Sequence, residues 1–403
     1  MEDTINEYTT GIKVEQVTDE NPGVLEGTGT EIDPYIINSI EDLIFFAYDV
    51  TNGNNYEGEY VSLGLSLDFN STKSYVDAYR TDYKIYGYDG ELKTMLTSGK
   101  GFKTIGSIND STKTFKGNFN GNNNTIINLY IKIDSIDETI VGLFANNEGN
   151  IRNLGVENCD IELDSTGTTG TVMAGGIVGY NRATGIIEKC FTKGKVIGTT
   201  NGTIAIRLGG IAGNAHGKIL SCYSGILIES YQTGRVSIGG IMGSGNADIE
   251  NCYNYGNIIV RKASSGVVGG ITSGGNGIIK NCYNLGDITI NSTESSDIWI
   301  NVGGIVGECY NDINNCYNDC ILDINLSNGD IGNFVGILNK GTVEGGYFKN
   351  NENASIGKIE LGTDESTSIQ SINEMPSILS IIGNNFKEDT NNINNRYPIL
   401  SWQ

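Results

Sequence analysis

Apolar residues along this chain come in short runs divided by glycine and asparagine, and the same succession of runs keeps returning. Five segments stack almost letter for letter: GGIVGYNRATGIIEKCF from Gly175, GGIAGNAHGKILSCY from Gly209, GGIMGSGNADIENCY from Gly239, GGITSGGNGIIKNCY from Gly269 and GGIVGECYNDINNCY from Gly303. Their starts lie 34, 30, 30 and 34 residues apart. Weaker copies flank them: FKGNFNGNNNTIINLYI from Phe115, VGLFANNEGNIRNLG near Gly142 and NFVGILNKGTVEGGY near Asn333. Within a unit the runs, such as GGIMG, DIENCYN and GNIIV, are each too short for a helix, so the pattern predicts three strands per unit.

One such unit cannot bury its apolar face alone, but copies stacked about 4.8 Å apart share a continuous core. Parallel crossovers are nearly always right-handed. The predicted fold is therefore all-β: a single right-handed parallel β-helix of about eight to ten coils. Proline supports this independently. The four prolines are Pro22, Pro34, Pro376 and Pro398, so the whole repeat tract keeps the N–H groups that a ladder paired above and below requires.

Columns can be followed through the stack. Ahead of a recurring aromatic residue stand Leu129, Leu154, Cys190, Cys222, Cys252, Cys282 and Cys316, where cysteine replaces leucine and so faces inward. These read as a buried stack of free thiols, because in-register parallel side chains fit the disulfide dihedral badly. One residue earlier, Asn251, Asn281 and Asn315 form an asparagine ladder suited to a tight bend. Glu250 beside Lys280, and Arg152 beside Glu188, make exposed charge pairs worth under about 1 kcal/mol. Just after the leucine and cysteine column come Tyr130, Gly155, Phe191, Tyr223, Tyr253, Tyr283, Tyr317 and Tyr347, which must face outward if cysteine faces inward. That column is either a stabilising ladder or a binding strip. Trp299 is either an exposed anchor or a strand residue pointing in. The variable links LDSTGTTGTVMA, GTTNGTIAIRL and NSTESSDIWI offer a second candidate surface, since variation between repeats gathers on one face.

The ends need covers, because open sheet edges invite aggregation. Ser39-Ile40-Glu41-Asp42 resembles a capping box, followed by an apolar stripe of Ile40, Leu43, Phe46, Ala47 and Val50 with Gly53 as a stop. Ser371-Ile372-Asn373-Glu374 opens a second short helix ended by Gly383. The expected layout is a flexible segment at 1–26, an N-terminal cap at 27–110 with a helix near 40–51 and the first coils, repeats at 111–350, and a C-terminal cap at 351–403 with a helix near 374–382. Residues 75–105 follow no period and are left unplaced.

Charge narrows the partners. With 26 Lys+Arg against 48 Asp+Glu, the net charge of -22 disfavours nucleic acid and anionic membranes, which require clustered cations. No run approaches the roughly 18 apolar residues of a membrane span, and the start lacks a signal-peptide layout, so the chain reads as a monomeric fragment of a larger protein from which a leader has been removed.

Chemistry is scarce. The cluster Cys309, Cys316 and Cys320 lacks the histidines or CxxC pairs of a zinc site, and no cofactor motif is present. A single histidine, His216, cannot supply the two histidine ligands of an HExxH protease site, and its pairing with Cys222 as a dyad is disfavoured because Cys222 points inward. No GxSxG or GxxxxGK[ST] occurs. Asp160, Glu162, Glu188, Glu250, Asp287, Asp312 and Asp319 fall mostly in different columns, so catalysis is not expected, although a polysaccharide lyase or glycoside hydrolase stays the enzymatic alternative.

The repeats from GGIVGYNRATGIIEKCF onward resemble GLUG repeats, which occur in bacterial surface proteins and in non-catalytic parts of some immunoglobulin A metalloproteases. GTGTEIDPYIINSIEDLIFFAYDV, FKGNFNGNNNTIINLYI and NNINNRYPILSWQ are similar to the opening, first rung and closing segment of such domains in clostridial and related Gram-positive proteins. The resemblance implies a parallel β-helix outside the cell, secreted or wall-associated, that serves as an adhesin for a host protein or glycan. A passive stalk fits equally well. The binding residues expected on this basis are Phe191, Tyr223, Tyr253, Tyr283, Tyr317 and Trp299.

Overall fold

A computed structural model describes residues 25–69, 101–107, 110, 112–135, 139–167, 170–200, 204–232, 234–292, 298–349, 353–360, 367–373, 375–392 and 397–403. Most of the segment expected to be flexible, most of the unplaced 75–105 stretch and the middles of the variable links lie outside the described residues.

The chain is a parallel β-solenoid. One strand of each coil precedes the paired glycines and joins a seven-stranded sheet running from Thr139–Val141 to Ile331–Gly332. The strand after the glycines joins an eight-stranded sheet from Phe144–Asn147 to Ile356–Ile359. The rest of each coil feeds a third, 22-stranded sheet in two segments, for example Asp248–Glu250 and then Tyr253–Asn254 with Ile258–Arg261. The three-strand expectation therefore needs adjusting: the second and third expected strands share one long sheet, and the run before the glycines contributes a strand of its own. The solenoid makes about seven turns, fewer than expected, because Tyr35–Ile37 and Tyr60–Leu63 join only the long sheet.

The paired glycines make the corner between the first two sheets. A Cβ on Gly239 would sit 2.2 Å from the Met242 carbonyl oxygen, and one on Gly240 would sit 2.3 Å from Asn254 Cγ. The second glycine thus makes room for a buried polar residue on the opposite wall. That residue is Thr192, Ser224, Asn254, Asn284 and Asn318 in successive coils, all buried. The asparagines form an interior ladder, with Asn254 Nδ2 donating to Asn284 Oδ1 at 2.9 Å and Asn284 Nδ2 to Asn318 Oδ1 at 3.1 Å. Asn254 and Asn284 also close turns, since Gly256 N donates to Asn254 Oδ1 and Gly286 N to Asn284 Oδ1, both at 3.1 Å. Buried amides are tolerated here because donors and acceptors are matched along the column.

The cysteine stack is observed: Cys190, Cys222, Cys252, Cys282 and Cys316 are buried and free. Its chemistry explains why leucine gives way to cysteine. The preceding residue bends the long sheet through a left-handed conformation, with φ of 52° at Lys189, Ser221, Asn281 and Asn315 and 56° at Asn251. After that bend the cysteine N–H meets a sulfur on the next rung: Cys190 N to Cys222 Sγ 3.4 Å, Cys222 N to Cys252 Sγ 3.3 Å, Cys282 N to Cys316 Sγ 3.3 Å. Leucine offers no acceptor there, whereas a thiol is a weak one. The predicted exterior asparagine ladder occupies the bend itself. Asn281 Nδ2 donates to Asn251 Oδ1 at 3.0 Å and Asn315 Nδ2 to Asn281 Oδ1 at 3.5 Å, and asparagine tolerates φ > 0 better than most residues.

In the earliest coils the register departs from the sequence columns. A shift between Val156 and Cys159 pairs Asp160 with Tyr130, while Gly155 pairs with Thr125 and Phe191. Tyr130 therefore does not belong to the aromatic column.

The N-terminal helix, Ile40–Thr51, forms where the stripe places it. Ser39 Oγ accepts from Asp42 N at 3.0 Å, while Asp42 Oδ2 accepts from Asn38 N, one residue before the usual capping-box donor. Phe46 packs against Phe115, Phe119 and Phe144 with ring centroids 5.7, 5.8 and 6.3 Å away, covering the core of the first turns. The C-terminal segment behaves differently. A 3₁₀ helix, Met375–Ser380, replaces the expected α-helix, and the chain beyond it runs back along the flank of the solenoid.

Candidate functional site

That fold-back decides the fate of the expected binding strip. The aromatic column is a stack of nearly parallel rings, with centroid spacings of 4.9 Å for Phe191–Tyr223 and Tyr223–Tyr253 and 4.7 Å for Tyr253–Tyr283 and Tyr283–Tyr317. From Tyr253 onward it is covered by Ile378, Ile382, Phe386 and Leu400. The hydroxyls are bound as well: Tyr347 donates to the Ile381 carbonyl at 3.2 Å, Tyr317 to the Pro398 carbonyl at 2.6 Å and Tyr283 to Gln403 Oε1 at 3.1 Å. Trp402 donates to the Asn251 carbonyl at 3.1 Å and lies 6.1 Å from the Tyr253 ring. Tyr283 and Tyr317 are 0% exposed and Tyr253 9%. The expectation that these three form an exposed binding surface is corrected: their ligand is the chain's own C-terminus. Towards the other end Tyr223, whose ring lies 6.5 Å from that of Trp402, and Phe191 stay partly exposed.

An open polar surface lies elsewhere, in the groove on the outer side of the glycine corner. Strand alternation builds it. In Ala205–Gly209, Ile206 and Leu208 are buried and Arg207 faces out, and the register sets Arg207 beside Ser237 on the next rung. Arg235, two residues before Ser237, shares that outward face. The eight-stranded sheet supplies the other wall through Asn214, Ser244, Gly274 and Glu308. Together these residues, with His216, Asn246 and Tyr310, enclose a cavity of about 370 Å³. A second cavity of about 410 Å³ adjoins it through His216 and is lined by Glu148, Tyr180, Arg182 and Thr184. From the strand of Tyr180 to that of Glu308 the groove crosses four rung spacings, roughly 19 Å.

Both ends of the groove are held rigid. At one end, Trp299 Nε1 donates to Asn301 Oδ1 at 2.9 Å, Asn301 Nδ2 donates to Glu308 Oε1 at 2.8 Å, and Tyr310 Oη donates to Glu308 Oε2 at 3.1 Å. This chain of hydrogen bonds spans the two sheets and fixes two exposed aromatic faces. Trp299, 50% exposed, keeps an open ring face, more exposed than any residue of the aromatic column named above. At the other end the Arg182 guanidinium sits 4.7 Å above the Tyr180 ring and donates to Asn146 Oδ1 at 3.0 Å, with Glu148 3.8 Å away.

Three of the chain's seven arginines, Arg182, Arg207 and Arg235, line these cavities in a molecule of net charge -22. His216 lies against Asn246, 3.4 Å from its Nδ2, and 5.7 Å from the Tyr180 ring. Partial burial, and then the charge of Arg207, lower its pKa, so the imidazole is neutral at neutral pH and the positive field comes from the arginines. Asn214 lines the floor. It is 2% exposed and its Oδ1 has no hydrogen-bond partner among the described residues. Cys222 lies in the core, its thiol donating to the Leu220 carbonyl at 3.2 Å, so it does not meet His216. No group of three or more potential metal ligands occurs among the described residues.

Arg207, Arg235, Asn214 and Tyr310 were not among the residues expected to bind. The signal was the polar residue at the alternating position before three of the glycine pairs, Arg207, Ser237 and Asn301, where the other two carry Met173 and Val267. Reading it needed the knowledge that the two strands fold toward each other outside the corner.

The class this geometry defines is a parallel β-solenoid with one covered aromatic flank and one open polar groove. No family model matches the chain. Halomucin from Haloquadratum walsbyi is 28% identical over 186 residues, which is 45% of this chain and 2% of that protein. Among solved structures, a Bacteroides ovatus protein described as a "putative immunoglobulin A1 protease" matches with a TM-score of 0.53 over 94% of this chain and 95% of that one, at 22% identity, a likeness of fold. The chain therefore spans about 2% of the length of its curated relative.

Proposed function

We propose that this solenoid is a ligand-binding module of a larger secreted or surface-displayed protein, and that its groove between the first two sheets holds a glycan. The observation that carries the reading is the convergence of Arg207, Arg235, Asn214 and Tyr310 on one preformed cavity that continues along the coils. A groove with polar groups on fixed strands and aromatic faces at one end matches the demands of sugar recognition, where hydroxyls need hydrogen-bond partners and ring faces need flat apolar contacts. Both likenesses favour a place outside the cell, as does the resemblance of the repeats to GLUG repeats. Burial of all eight cysteines suits an oxidising medium, since no thiol is presented for exchange. Binding is preferred to cleavage because Glu308 is the single carboxylate lining that cavity, whereas glycosidic cleavage uses a pair.

The test is a glycan and host-protein array probed with the wild-type chain and with the double variant Arg207→Ala, Arg235→Ala, whose fold is checked by circular dichroism. Glycan binding lost in the folded variant is the expected result. Binding that survives it moves the site off the groove, and the absence of binding to any ligand leaves the module a stalk.

A further inference from the structure

Four features of the groove bear on which glycans it takes. First, cationic side chains are concentrated here in a strongly acidic molecule: Arg207 and Arg235 come from adjacent rungs of one sheet and share one outward face. Guanidinium groups present forked donors that match carboxylate oxygens in pairs. Second, the floor keeps an unsatisfied acceptor, Asn214 Oδ1, on a side chain 2% exposed. A buried orphan acceptor costs about 1–3 kcal/mol unless a ligand donor reaches it, and a sugar hydroxyl is such a donor whereas a carboxylate is not. Third, Ser237 and Ser244 flank that acceptor from the two walls. Fourth, the one carboxylate lining this cavity, Glu308, is held by Asn301 and Tyr310, so its oxygens are engaged rather than turned on the ligand.

We infer that the groove selects acidic sugars, with the ligand carboxylate docked on Arg207 and Arg235, a ring hydroxyl donating to Asn214 Oδ1, and a neighbouring sugar ring lying against Tyr310 and Trp299. This rests on the proposed glycan-binding function and narrows it to a substrate class. An acidic peptide is the weaker fit. The strands Ala205–Gly209, Arg235–Gly239 and Ser265–Gly269 beneath the groove are paired on both sides, so an extended peptide finds no free backbone edge there.

Isothermal titration of the full chain separates the possibilities. The probes are oligosaccharides bearing uronate or sialate, each with its carboxyl-reduced neutral counterpart, and an oligoglutamate peptide. The acidic sugars are expected to bind roughly tenfold or more tightly than their reduced forms, and to weaken by a similar factor in Arg207→Gln and Arg235→Gln. Asn214→Leu is expected to weaken acidic and reduced sugars alike. Affinity for acidic sugars should fall with added salt. Equal affinity for acidic and reduced sugars, with both lost in Asn214→Leu, overturns acid selection but keeps the glycan groove. Oligoglutamate bound as tightly as the acidic sugars overturns the glycan as ligand. Failure of every sugar to bind the folded wild-type chain overturns both readings.

Discussion

The tyrosine face and the arginine groove are built alike and used differently. Each is an outward face that crosses several rungs, the first a single aromatic column and the second a mixed one, in which Arg207, Ser237, Val267 and Asn301 share one register position. The tyrosine column is flat and apolar, so leaving it in water would cost the burial of four rings; the C-terminal segment covers it, and both sides gain. The groove is concave and polar, so it stays open, and its one cost is the buried Asn214 acceptor on its floor. A regular outward stripe on a solenoid is thus not evidence of recognition by itself. What separates the two is whether the surface can satisfy itself in water.

The sharpest way to break the comparison is to remove residues 375–403. Exposing Tyr253, Tyr283, Tyr317 and Tyr347 while deleting Ile378, Ile382, Phe386 and Leu400 should cost many kcal/mol, at about 1.5–3 per buried apolar side chain. A large drop in melting temperature with dye binding to exposed apolar surface is expected. An unchanged melting curve would mean that the tail is an accessory and the tyrosines are a binding strip after all.

Next comes Tyr283→Ala, which empties a fully buried ring site between two stacked neighbours and should cost about 3–5 kcal/mol in chemical denaturation. Tyr223→Ala, at the partly exposed end, should cost clearly less. Equal losses would erase the distinction between the covered and uncovered parts of the ladder.

Asn284→Ala should cost about 1–3 kcal/mol, because it strands the Gly286 N–H and the Asn254 amide inside the core. The smallest effects on stability belong to the groove. Trp299→Ala and Arg207→Gln should each stay within about 0.5 kcal/mol in the same unfolding assay while ligand affinity falls, and a large destabilisation by either would reassign the groove to structural work.

Thiol chemistry tests the interior shared by both regions. Burial pushes Cys159 and Cys320 up to about 12 and Cys309 up to about 11, and holds Cys190, Cys252 and Cys316 well above the ordinary thiol value. A thiol reagent should label none of the eight cysteines in the folded chain at neutral pH and all of them after unfolding. Rapid labelling of the native protein would show that the stack opens.

Much of the fold could be read from local pattern. The period of 30–34 residues, the inward cysteines and the asparagines at the bend are repeated chemistry, and each copy confirms the others. The helix Ile40–Thr51 was legible because its cap and stripe lie within one short segment. The interior ladder Asn254, Asn284 and Asn318 went unread although it stands directly after the tyrosines. Its meaning depends on the second glycine of each pair leaving space across the coil. The early columns slipped because one register shift near Val156 cannot be seen in spacing alone.

The sequence by itself determined the solenoid, since a repeated strand unit can satisfy its backbone and bury its apolar side only by stacking on its own copies. Which outward face is covered and which stays open was decided by tertiary structure. Tyr317 finds Pro398 at a separation of 81 residues and Asn251 finds Trp402 at 151, through a closing segment that occurs once and carries no repeat. Arg207 and Asn214 become one site only because the glycine corner folds two strands toward each other. A periodic pattern fixes what each copy does to its neighbour along the stack; it carries no information on what a unique segment will cover from the side.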